Sequence, residues 1–139
     1  MTRHESREQA FVLVFENIFH PELSVEEIIT AAGETDVQCP DDFAAALAGT
    51  VIAHKDEADA VIGQFARGWK LHRLSKVALA ALRLAICEIL YADGVPDGVA
   101  INEAVELAKK YATAADASYI NGILGSFVRS REKTDGTEI

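Results

Sequence analysis

The chain has 139 residues, half apolar and a quarter charged, which suits one globular domain with a real core. No apolar stretch can span a bilayer, because Arg83 and Glu88 interrupt the richest one. No secretory leader is expected, since Arg3, Glu5, Arg7 and Glu8 fall where its apolar stretch would lie, and the net charge of −9 argues against non-specific nucleic-acid binding.

The expected location is therefore cytoplasmic. The charge is uneven: residues 21–62 hold ten acidic side chains against Lys55 alone. Residues 67–83 hold Arg67, Lys70, Arg73, Lys76 and Arg83 with no acid, so a local basic site on one side stays open. Cys39 and Cys87 form no CxxC, and His4, His20, His54 and His72 show no i,i+4 pairing. They read as free thiols in a reducing compartment and as no metal site.

In chain order, Thr2 and Glu5 fit a capping box, so a helix begins at Arg3 and carries Phe11, Val14, Phe15 and Ile18 at helical spacing. His20-Pro21 ends it. Ser24 to Glu27 is a second capping box, followed by Ile28 and Ile29, with Gly33 as the residue after the helix. Pro40 opens a stretch with Phe43, Leu47, Val51 and Ile52. The Lys55-Asp56-Glu57 cluster separates it from a helix carrying Ala58, Val61, Ile62 and Phe65, which Gly68-Trp69 closes.

Residues 77–92 are apolar almost all round, which predicts a helix buried on every side at the hub of the fold. Residues 93–98 form a turn. A helix over 99–112 turns Ile101, Ala104, Val105 and Ala108 inward. A last helix from about Asp116 to Arg131 buries Ile120, Ile123, Leu124, Phe127 and Val128, and residues 132–139 read as a flexible polar tail. The fold class is all-α: a single domain over 1–131 of about seven helices.

Several residues carry two readings. Arg83 and Glu88 on the hub each need a tertiary partner, since an unpaired buried charge is costly; structural pairing is favoured over a ligand role. Asn102, Glu103, Glu106, Lys109 and Lys110 share a polar face, with Glu106 and Lys110 placed for an i,i+4 pair. Gly122 and Gly125 lie opposite the apolar stripe, either tolerated there or marking a close approach to the backbone. Arg3 and Arg7, at i,i+4, project from the end of a buried face, where they meet either an anion or solvent. No GxSxG, GxGxxG, P-loop or HExxH occurs, so no catalytic residue and no cofactor is expected.

The chain resembles the NusB family of bacterial transcription antitermination proteins. The resemblance rests on Arg3 and Arg7 to Phe15, on Trp69, Arg73 to Val77, Leu82 to Glu88 and Val95-Pro96, on Val99-Ala-Ile-Asn-Glu-Ala-Val-Glu-Leu-Ala-Lys109, and on Tyr119-Ile-Asn-Gly-Ile-Leu124. It implies a non-enzymatic helical protein. Such a protein binds single-stranded boxA RNA of ribosomal RNA leaders, together with a small-subunit ribosomal protein, the NusE partner, within the RNA polymerase antitermination complex. Carried over, the basic arm maps to Arg3, His4 and Arg7, the RNA-stacking aromatic to Tyr119 with Asn121 beside it, and the ribosomal-protein contact to Phe15. The chain departs from the family in having His4 for a basic residue, Ala78 for an acidic one, Asp116 for a serine and Ser118 for a basic residue. The physics of the residues fits phosphate contacts from arginine and base stacking on Tyr119. Two alternatives stay open: a protein-interaction module using the acidic surface of 21–62, and the accessory domain of an RNA-modifying enzyme.

Overall fold

The computed structural model describes residues 2–33, 41–66 and 74–137. They form seven helices and no strand: α1 (Arg3–Phe19), α2 (Val25–Gly33), α3 (Asp42–Ala53), α4 (Lys55–Phe65), α5 (Lys76–Tyr91), α6 (Asp97–Tyr111) and α7 (Ala114–Thr137).

Local chemistry sets most helix ends. Both capping boxes form. The Thr2 hydroxyl accepts the Glu5 N–H at 3.1 Å while the Glu5 carboxylate takes the Thr2 N–H. Ser24 and Glu27 exchange the same pair of bonds at 3.2 Å each. The start of α3 is capped by Asp41, whose carboxylate accepts the Ala44 N–H at 2.7 Å. Pro40, expected to open this helix, lies outside the described residues, as do Gly68, Trp69 and Cys39.

The break between α3 and α4 falls at His54, whose N–H returns to Thr50 and Val51. The Lys55-Asp56-Glu57 cluster therefore does not separate the two helices. It forms the first turn of α4, where the acids favour the helix dipole. Ser75 caps α5 by accepting the Ala78 N–H at 3.0 Å. Gly94 carries the turn into α6 with φ +77°, a conformation open to glycine. Helix α6 begins at Asp97, two residues before the expected start. Helix α7 begins at Ala114 because the Thr113 hydroxyl accepts the Asp116 N–H at 3.0 Å, so Asp116 lies within the first turn instead of capping it. It runs on to Thr137, through residues expected to follow the helix.

Helix α5 is the hub the sequence predicts. It packs against α1, α3, α4, α6 and α7, and eleven of its sixteen residues are buried. Helices α1, α2 and α3 form one group around it, and α4, α6 and α7 the other. The largest fully buried side chains come from every side: Val14 from α1, Val51 from α3, Ile62 from α4, Leu82 and Ile86 from α5, Leu107 from α6, Ile120 and Leu124 from α7.

The hub's two charged residues both find tertiary partners. Arg83 donates from Nε and Nη2 to the two carboxylate oxygens of Asp59 on α4, each at 2.8 Å. Glu88 accepts from Arg7 Nε on α1, at 2.8 and 3.1 Å. A third buried polar group, Asn17, fastens the end of α1. Its amide donates to the Leu23 carbonyl at 3.1 Å and its oxygen accepts from Lys55 Nζ at 3.3 Å.

Leu82 is fully buried at the centre of this arrangement. Leu82→Ala removes its contacts and leaves a cavity, and should lower stability by about 2–5 kcal/mol. Urea unfolding followed by circular dichroism measures this. A loss below about 1 kcal/mol would place the core elsewhere.

Candidate functional site

Two regions hold the residues expected to meet RNA. The first is the start of α1. Arg3 is exposed, and its guanidinium carbon stacks 3.8 Å from the centroid of Phe43 on α3, a cation–π contact that leaves its edges open. His4 Nδ1 lies 2.6 Å from Glu103 on α6, with the imidazole about half exposed. One turn further on, Glu8 accepts from Lys110 Nζ at 2.5 Å and from the Tyr111 hydroxyl. These two hydrogen bonds hold the Glu8 carboxyl below its usual range, Lys110 contributing most. Lys110 thus pairs with Glu8 across helices instead of with Glu106, which meets Lys109 at 3.5 Å.

The second region is the outer face of α7 near its start. Tyr119 is half-buried, and its hydroxyl donates to the Ala66 carbonyl at the end of α4 at 3.2 Å. Burial pushes the pKa of its phenol upward. A groove of about 420 Å³ runs beside it, lined by Phe65, Ser118, Tyr119, Gly122, Ser126 and Arg129 among others.

At 100° per residue, Ser118, Asn121, Gly122, Gly125 and Arg129 fall on one arc of α7. Asn121 is exposed at the far edge of that arc, outside the groove. A Cβ added at Gly122 would meet nothing within 4 Å, while one at Gly125 would come 3.2 Å from the Arg129 guanidinium. The helix backbone is therefore open at Gly122 and covered by Arg129 at Gly125. Arg129 also donates to the Ser126 hydroxyl at 3.2 Å.

A third feature is apolar. Tyr111, Phe11, Phe15 and Phe19 form a ladder along α1, with centroid separations of 5.4, 6.2 and 5.1 Å. Phe15 is half-buried within it, and Phe19 and Val12 are exposed. Among the described residues no three His, Cys, Asp or Glu side chains converge as metal ligands, and no helix is long and apolar enough to cross a membrane.

Comparison with known proteins gives one consistent result. Residues 4–129 match the NusB family. The transcription antitermination protein NusB of Acetivibrio thermocellus is 41% identical, over 99% of this chain and 97% of its own length. That of Symbiobacterium thermophilum is 37% identical, over 99% and 96%. Among solved structures, T. maritima NusB superposes with a TM-score of 0.78 at 29% identity, covering 97% of this chain and 98% of that one. A crystal structure of antitermination factors NusB and NusE in complex with double-stranded RNA superposes with a TM-score of 0.77 at 25% identity, covering 94% and 99%.

Of the six residues expected at the two interfaces, Arg3, His4, Asn121, Tyr119 and Phe15 are exposed or half-buried. Arg7 is not: it is 5% exposed and committed to Glu88. Of the two readings given for it, anion or solvent, Arg7 meets an anion, but that anion is the hub carboxylate inside the core and not a phosphate at the surface. Ala78, which stands where the family has an acidic residue, is also buried, at 1%. Arg129 is the residue the expected site omits. Its spacing of eleven from Ser118 and seven from Gly122 puts it within about 20° of both on the α7 face, a signal present in the sequence.

Arg7→Ala should destabilise the fold by about 3–5 kcal/mol, since it leaves Glu88 as a buried charge without its cation. Adding Glu88→Leu should recover much of that loss. Denaturant midpoints of the single and double variants check this. A single variant as stable as the wild type would show that Glu88 finds another partner or a proton at no cost.

Proposed function

The chain belongs to the NusB family, and on that premise we propose that it is a cytoplasmic transcription antitermination factor that binds boxA RNA of ribosomal RNA leaders jointly with a small-subunit ribosomal protein, the NusE partner, within the RNA polymerase antitermination complex. Its work is binding rather than catalysis. The observation that carries the RNA reading is the α7 face, where an aromatic ring, an open helix backbone and an arginine lie side by side.

Single-stranded RNA is read from splayed bases stacked on aromatic rings, with cations on the backbone. Tyr119 is held in place by its bond to Ala66, so little rotamer freedom remains to be lost on stacking. Gly122 allows a sugar or phosphate to approach the helix, and Arg129 and Arg3 supply positive charge. Asn121 offers a donor and an acceptor at the edge of the face. Phe15, in the aromatic ladder with Phe19 and Val12 exposed beside it, offers an apolar contact for the ribosomal protein.

A net charge of −9 makes RNA binding by this chain alone weak. A basic partner that touches both chain and RNA raises the affinity, and the coupling is reciprocal: each ligand strengthens the other by the same factor.

Salt titration of boxA binding, with the ribosomal protein present, tests the assignment. Log K falls by about 0.7 per phosphate neutralised on a single strand. Arg3→Ala and Arg129→Ala should each flatten the slope by about that amount, while Tyr119→Ala should cost about 1–3 kcal/mol and leave it unchanged. Tyr119→Phe keeps the ring and loses the hydroxyl with its Ala66 bond, so it separates stacking from positioning. Unchanged slopes in both arginine variants would move the RNA to another face. No RNA binding even with the partner would favour an interaction module using the acidic helices α2–α4.

A further inference from the structure

We propose that phosphate capture by the α1 arm is linked to uptake of one proton at His4, with Glu103 as the residue that imposes the linkage. This rests on the RNA-binding reading above. The geometry is the starting point: His4 Nδ1 lies 2.6 Å from Glu103 Oε2, with Glu103 mostly buried and the imidazole about half exposed. An ionised carboxylate only accepts hydrogen bonds, so the proton of a neutral His4 must sit on Nδ1. Nε2 is then left as a bare acceptor. It has no hydrogen-bond partner among the described residues, and the side chain as a whole is about half exposed.

A bare acceptor nitrogen repels a phosphate oxygen, lone pair against lone pair. Protonation at Nε2 reverses this. The imidazolium donates from Nδ1 to Glu103 and from Nε2 to phosphate, and it carries a positive charge between two anions. An arginine in this place would need no proton, whereas histidine changes charge between about pH 5 and 8. Glu103 thus does two things: it orients the ring and it fixes which nitrogen must be charged.

The other charged groups around His4 are already engaged. Glu8, one turn along α1, is bound by Lys110 and Tyr111. Glu5 is taken up in the capping box with Thr2. On α5, Glu88 holds Arg7, and ahead of α3, Asp41 is bound to Ser6 and the Ala44 N–H. Arg3 stacks on Phe43. Glu103 is therefore the acid hydrogen-bonded to His4, Glu8 acts on the ring through charge alone, and a phosphate at Nε2 makes the RNA-bound state hold the proton more tightly than the free one.

The sign follows. Affinity rises as pH falls from 8 to 6, by at most about tenfold per pH unit for one proton. The salt slope at pH 6 exceeds that at pH 8 by up to about 0.7, one further phosphate. The experiment is fluorescence anisotropy of labelled boxA RNA, with the ribosomal protein present, at both pH values. It is paired with calorimetry in two buffers of different ionisation enthalpy, which counts protons taken up.

Wild type should take up protons on binding RNA, at most one per complex, at a pH between 6 and 8. His4→Arg should bind at pH 8 as the wild type binds at pH 6, with a flatter pH profile. His4→Gln should lose the pH dependence and the additional slope together. Glu103→Gln, whose amide permits either ring tautomer, should weaken the pH dependence while binding at pH 8 stays equal or tightens. In the free protein, nitrogen NMR should find the neutral His4 proton on Nδ1, and the Glu103→Gln variant should lose that preference.

Equal pH profiles for wild type and His4→Gln, or a neutral ring protonated on Nε2 in the free wild type, would overturn the linkage and leave RNA binding intact. Absence of boxA binding at every pH would overturn both readings.

Discussion

A carboxylate in the middle of an apolar helix is tolerable only with a cation and good hydrogen bonds beside it. Glu88 is such a group, 2% exposed on α5, and Arg7 supplies the cation from α1. Two hydrogen bonds from one guanidinium nitrogen fix both the rotation of α1 about its axis and its height along α5. The remaining contacts of α1 follow from that setting. Phe11 and Val14 enter the core, Arg3 arrives over Phe43, and His4 reaches Glu103 on α6. Were α1 rotated by one residue, the arm would face away from α6 and the aromatic ladder would lose Tyr111.

The ion pair also divides labour among the basic residues. Arg7 gives its charge to the interior and Arg3 keeps its own at the surface, although they lie one turn apart on the same helix. The second pair, Arg83 with Asp59, acts likewise between α5 and α4. Together they pin the α1 side and the α4 side of the molecule to one central helix. The α7 face is positioned through that frame, since α7 packs on α4, α5 and α6 and Tyr119 reads its place from the end of α4.

Much of this was legible in the residues because its causes are local. A hydroxyl three places before a carboxylate makes a capping box wherever it occurs, so the starts of α1 and α2 could be read directly. A helix without a polar stripe has to be buried, so α5 could be placed at the centre and Arg83 given a partner before any coordinates. What escaped depended on neighbours far away in the chain. Arg7 shares the spacing of Arg3, and nothing local distinguishes an arginine bound for solvent from one whose carboxylate stands 81 residues later. Lys110 had a helical neighbour in Glu106 but found a stronger site on Glu8, 102 residues away. At Ala78 the family pattern has an acid, while packing around the start of α5 covers the position here. The RNA face was only half visible: the resemblance pointed to Tyr119 and Asn121, but the groove that adds Arg129 exists only once α4 ends beside α7.

A central helix shared by both halves has a consequence for how the molecule comes apart. Neither the group of α1, α2 and α3 nor the group of α4, α6 and α7 has a core of its own, because both complete theirs on α5. Partial opening of one half strips a side of the hub and exposes it to water, so the halves should lose structure as one cooperative unit, with α5 amides exchanging only in the globally open state. Cys87 sits on that helix at 1% exposure, its thiol pushed up to about 12 by burial. A thiolate reagent in neutral solution finds neither access nor a reactive sulfur there while the fold is closed. The rate at which Cys87 reacts is then a clock for whole-molecule opening, built into the central helix itself.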